Sequence, residues 1–118
     1  MTFAEETLLV ISNLPDRDAA EALARELVER RLAACVNILA PCRSVYRWQG
    51  EVEQADEVPL LIKTTRARYA ELEAAMRELH PYEVPEIIAL PLAAGLPAYL
   101  DWVGAACAPE NPAKTISC

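Results

Sequence analysis

Four side chains in this sequence carry metal-binding chemistry at suggestive positions: Cys35, His80, Glu83 and Glu86. His80 is the single histidine of the chain, and it falls in LHPYEVPEIIALP, between a helical pattern and an apolar, strand-like run. Its imidazole, with the carboxylates of Glu83 and Glu86, makes a nitrogen–oxygen donor set suited to borderline divalent ions. Cys35, once deprotonated, is a soft donor suited to Cu(I). Each residue also has a plainer reading. Cys35 lies between Ala34 and Val36 in a strand pattern and can act as a small buried hydrophobe. His80 precedes Pro81, which disfavours helical geometry at the residue before it. His80 therefore closes a helix, where a partly charged ring would interact favourably with the dipole.

A second group is aromatic and basic: Tyr46, Arg47, Trp48, Lys63, Tyr82 and Trp102. Such rings supply contact area with a polar handle, which suits packing between subunits. The same residues could line a cleft between subunits in which Arg47 and Lys63 accept a small anionic ligand. Lys63 precedes Thr64-Thr65 at a helix start, where backbone N–H groups favour anions. An enzyme is not expected. Cys35 with His80 lacks a third orienting group, and three glycines form no phosphate loop. The four cysteines, Cys35, Cys42, Cys107 and Cys118, contain no C-x-x-C pair, so no closed zinc site is expected.

A chain of 118 residues indicates one domain, and 53% apolar with 25% charged residues indicates a folded one. The net charge of −7 repels phosphate backbones, which argues against a nucleic-acid partner. No apolar run approaches the roughly 18 residues that a membrane span needs. The stretch MTFAEETLLVIS has no basic n-region, so the expected location is cytoplasmic, with free thiols rather than disulfides.

The elements that must position these groups follow from periodicity. TLLVISNLP reads as a strand. Ala20, Leu23, Ala24, Leu27 and Val28 mark one face of a helix, with Asp18 and Glu21 as a capping box or Asp16 as the cap. ACVNILAPC is a second strand, interrupted at Pro41. A hairpin follows, turning at Trp48-Gln49-Gly50-Glu51 with Gly50 free to take positive φ, and returning through Val58–Thr64. Pro59 demands an edge or a bulge. Thr65 caps a second helix with Tyr69, Leu72, Met76 and Leu79 inward. Pro85 to Leu92 is a further strand, and Pro97 opens a short last helix. Residues 1–106 thus form a ferredoxin-like α+β domain, βαββαβ plus a C-terminal helix, and 107–118 a frayed tail.

Two helices can cover only one face of such a sheet, yet Leu8–Ile11, Leu60–Ile62 and Ile87–Leu90 are apolar on both sides. A monomer would expose a large apolar patch. If Cys35–Trp48 and Glu51–Thr64 are both extended, each arm is about 45 Å long at roughly 3.3 Å per residue. That overhangs a domain whose radius of gyration should be about 13–14 Å. A closed oligomer is expected, with strand edges and the hairpin-tip residues Val45, Tyr46, Trp48 and Val52 covered by other copies. The competing reading is that Pro41 breaks the arm and leaves a short hairpin.

RLAACVNI, SVYRWQGEVE, LLIKTT, LHPYEVPEIIALP and YLDWV occur in that order, and together they closely resemble the CutA divalent-cation-tolerance family. The resemblance covers roughly residues 7–104. It implies a ferredoxin-like subunit assembled as a homotrimer through intersubunit strand pairing, linked to metal-ion tolerance and copper binding. It places Cys35 and His80 at matching motif positions and gives no role to Cys42, Cys107 or Cys118. It also implies a likeness to PII signalling proteins, and so the alternative of a small-molecule or protein-binding signalling trimer.

Overall fold

The computed structural model describes residues 5–109. Strands β1 (Thr7–Leu14), β2 (Cys35–Ile38), β3 (Cys42–Trp48), β4 (Glu51–Thr65) and β5 (Ile88–Pro91) alternate with helices α1 (Arg17–Glu29), α2 (Arg66–Leu79) and α3 (Pro97–Cys107). The antiparallel sheet runs β2-β4-β1-β5, and β3 pairs β4 beyond the end of β2. This is the ferredoxin-like order, with the second strand split in two.

The split has a local cause. Leu39 N–H donates to the Pro59 carbonyl, so the donorless Pro59 nitrogen also points toward that edge. The neighbouring strand breaks at this point, across Leu39–Pro41, and resumes at Cys42 opposite Glu57. Pro59 thus sits in a central strand, and the bulge it demands falls on its neighbour: between the Ile38–Leu60 and Cys42–Glu57 pairs, three residues face two. The arm beyond the break stays long. Trp48 pairs with Glu51 across a two-residue turn whose Gln49 and Gly50 have φ of 50° and 84°. Positive φ at both centres is the type I′ geometry whose twist suits a tight hairpin. The molecule measures 56 × 31 × 23 Å with a radius of gyration of 15.8 Å. That exceeds the roughly 13–14 Å of a compact chain this long, because the hairpin projects.

Alternation divides the sheet. Val10, Leu14, Val58, Leu60 and Ile62 point to one face and pack on Ala20, Leu23 and Leu27 of α1 and Leu72, Ala75 and Met76 of α2. On the other face Leu9, Ile11, Leu61 and Lys63 are only half-buried, and Ile88 and Leu90 on β5 are exposed. α1 is capped by Asp16, whose Oδ1 accepts from Ala19 N–H at 2.8 Å; Asp18 lies inside the helix. Val28, expected inward, is exposed. Thr65 is the N-cap of α2 but its side chain makes no cap bond. β5 begins at Ile88, three residues later than expected, since Pro85, Glu86 and Ile87 do not join the ladder. Cys107 does not belong to a frayed tail: it ends α3 and is 1% exposed. The rest of the expected tail, from residue 110, lies outside the described residues.

Candidate functional site

His80 ends α2 in extended geometry, with φ −74° and ψ 135°, as the following proline requires. Its ring is buried at 6% exposure and both nitrogens are engaged. Nδ1 accepts from the Tyr82 backbone N–H at 3.1 Å, and Nε2 lies 2.8 Å from the Asn13 carbonyl oxygen. An accepting Nδ1 carries no proton, so Nε2–H donates to Asn13 and the ring is neutral. Burial lowers its proton affinity; the Asn13 carbonyl and the Glu57 carboxylate oppose this more weakly. The helix-closing role expected of His80 is therefore filled by a neutral ring, not a charged one.

The network extends from both sides of this ring. The Tyr82 ring lies 4.8 Å from it, and the Tyr82 hydroxyl donates to Glu57 Oε2 at 2.9 Å. Burial, then the Glu57 carboxylate, pushes the Tyr82 phenol far above its ordinary range. Asn13 Nδ2 donates to Glu86 Oε1 at 3.2 Å. Glu57 is the last β4 residue paired with β3, and Val58 the first paired with β1. Glu86, Asn13, His80, Tyr82 and Glu57 thus form one hydrogen-bonded series at the root of the hairpin. Asn13 and Glu57 were not singled out in the sequence. Asn13 has a weak signal there, as a polar residue near the end of an apolar strand run, whereas Glu57 is one of several acids in Glu51–Glu57 and has none.

The four proposed metal donors do not converge in one chain. Cys35 is half-buried on β2 opposite Lys63, with Sγ 3.9 Å from Asn37 Oδ1, to which Lys63 Nζ also donates. His80 is bonded to Asn13, which pairs with Pro59, four residues further along β4, or about 13 Å. Glu83 and Glu86 are exposed. Among the described residues no three His, Cys, Asp or Glu side chains gather to hold a metal ion. The donor set of a single chain therefore does not fit a resident metal.

The aromatic and basic group is dispersed as well. Tyr46 and Trp48 share one face of the hairpin, opposite Glu53 and Glu51. Arg47 points to the other face and donates to the Gly50 carbonyl at 3.3 Å. Lys63 lies ten residues from Glu53 along β4, about 33 Å away. Trp102 stacks on Tyr99 of α3 with ring centroids 5.6 Å apart. A cavity of about 740 Å³ lies elsewhere, between the start of α2 and α3, with Cys107 in its lining. Burial pushes the Cys107 thiol up, while Thr64 and Arg68 oppose the shift.

The split ferredoxin-like sheet with its projecting hairpin defines the class to which this chain belongs. The family described as CutA1 divalent ion tolerance protein matches residues 8–106, and the chain belongs to that family. The divalent-cation tolerance protein CutA of Thermus thermophilus is 50% identical over 99 residues, covering 84% of this chain and 94% of that one. The crystal structure of CutA from Xylella fastidiosa superposes with a TM-score of 0.85 at 42% identity, covering 87% of this chain and 99% of that one. CutA of Archaeoglobus fulgidus, described as periplasmic, superposes with a TM-score of 0.84 at 34% identity, covering 86% and 99%. Family membership thus sets no single compartment. No helix among the described residues is long and apolar enough to cross a membrane.

Proposed function

We propose that this chain is a metal-tolerance protein that works as a homotrimer and binds copper-type ions with donors from more than one copy. The observation that supports it most is the uncovered apolar surface. Val45 and Val52 on the hairpin are 67% and 65% exposed, and Ile88 and Leu90 on β5 are 50% and 45% exposed. Both lie beside strand edges with no partner among the described residues: the outer edge of β5, and the edge of β4 from Glu51 to Glu57. Copies pairing along these edges would cover both patches at once. Cys35 supplies the soft donor that favours Cu(I), and exposed Glu83 and Glu86 supply carboxylates. His80 enters only by giving up one of its two internal hydrogen bonds.

Native mass spectrometry with Cu(I), Cu(II) and Zn(II), alongside sedimentation, tests this reading. The expected species has three times the 13.0 kDa chain mass, binds copper, and loses most of that binding in Cys35→Ser. Pairing Val45→Glu with Val52→Lys is expected to give single chains. A wild-type monomer at micromolar dilution, or unchanged copper uptake in Cys35→Ser, overturns it. The signalling alternative gains no support, because its proposed residues are dispersed and the relatives above are named for cation tolerance.

A further inference from the structure

The cavity between α2 and α3 has features that the metal reading does not use. Thr65 stands at the N-cap of α2 and is only 5% exposed. Its side chain does not cap the helix, and among the described residues its hydroxyl has no hydrogen-bond partner. The hydroxyl is not among the atoms sealed from solvent, so on the cavity wall it is open to a partner from outside the chain. Thr65 lines the cavity together with Ala67 and Arg68, whose first-turn N–H groups also lack a side-chain cap. An uncapped helix start of 14 residues favours negative charge.

The rest of the lining restricts what that negative charge can belong to. Leu100 and Pro97 of α3 make the wall apolar. Asp101 is exposed, lines the same cavity, and makes no ion pair among the described residues. Its carboxylate repels a polyanion such as a polyphosphate and offers a partner to a cation. At about 740 Å³ the space is large enough for a small organic molecule. The geometry points to a site for a small apolar α-amino acid, its carboxylate on Thr65 and the α2 N-terminus, its ammonium on Asp101, and its side chain against Leu100. None of the proposed metal donors lines this site.

The test is a titration of the full chain, read by calorimetry and by amide shifts, with L-valine as the probe. Two further probes divide its charges: 3-methylbutanoate lacks the ammonium, and L-valinamide lacks the carboxylate. L-Valine is expected to bind saturably, shifting Ala67, Arg68 and Gly104, with both partial probes about tenfold weaker. Thr65→Val keeps the shape and removes the hydroxyl; because that hydroxyl caps nothing, the fold should survive while affinity falls about tenfold. Asp101→Asn, at an exposed position, should erase the preference for L-valine over 3-methylbutanoate. Absence of saturable shifts at these residues overturns the proposal, as does L-valine binding indifferent to both substitutions. Binding that appears only in a chain ending at residue 109 overturns it too, the cavity then being the seat of the chain's own C-terminal residues.

Discussion

His80 is the single histidine of the chain, so any imidazole titration can be assigned to it. Its buried ring prefers the neutral form, which places its folded pKa below the ordinary value of about 6.5. Above that value both folded and unfolded rings are neutral, and His80 gives stability no pH dependence. As pH falls below about 6.5 the unfolded chain takes up a proton that the folded ring resists, so stability declines. The decline continues until the ring protonates within the fold, because Nδ1 must then release the Tyr82 N–H. His80→Ala removes this pH term and deletes both ring bonds at all pH values. It leaves the Asn13 carbonyl and the Tyr82 N–H without partners, at about 1–3 kcal/mol each. A loss of roughly 2–6 kcal/mol should lower the melting temperature of a chain this size by on the order of 10–20 °C. The assay is urea unfolding from pH 5 to 8 at fixed protomer concentration, with the imidazole resonance followed in parallel. Identical pH slopes in the parent and His80→Ala would refute the reasoning, as would a ring titrating above the ordinary histidine value.

Other perturbations separate neighbouring claims. Asp16→Ala should lose about 1 kcal/mol with the α1 cap, whereas Asp18→Ala should be nearly neutral; chemical denaturation of the pair decides which residue caps. Gly50→Ala forces a β-carbon onto a residue with φ of 84° and should destabilise the hairpin by about 1–2 kcal/mol, visible as faster hydrogen exchange in β3. Timed alkylation followed by peptide mapping should modify exposed Cys42 well before Cys107, which is buried and has its thiol pKa raised.

The fold was legible where one face of an element carries the burden. The stripe Ala20, Leu23, Ala24 and Leu27 predicts a helix packed on a sheet, and those residues are buried there. The turn at Gln49-Gly50 was legible because few residues tolerate positive φ. Boundaries failed where tertiary pairing decides them. Nothing local says that Pro85–Ile87 miss the β1 ladder, or that Cys107 closes α3 with its thiol against Thr64. The site was less legible still, since donor type does not specify distance. His80, Glu83 and Glu86 are close in sequence, yet the ring turns inward to Asn13 while both carboxylates stay at the surface. Cys35 reaches its neighbours through strand register, which a single sequence leaves open.

The position of the His80 network says more about the protein than any one donor does. A projecting hairpin is a lever: a small change of angle where β4 leaves the body displaces the Trp48–Glu51 tip by many ångströms. Beyond Val58 the β1 side of β4 has no ladder partner among the described residues, so sheet pairing alone braces the arm from one side. Tyr82 supplies a second brace by holding Glu57 from the loop after α2, and His80 fixes that loop to the end of β1. Preorganising the arm in this way lowers the entropy lost when another surface receives it. Residues that looked like metal ligands are thus placed to set the trajectory of the surface through which copies are proposed to meet. If metal donors come from several copies, Tyr82→Phe should weaken copper uptake without removing any donor, through a less rigid arm. Restoring uptake in that variant by raising protomer concentration would separate this indirect route from direct ligation.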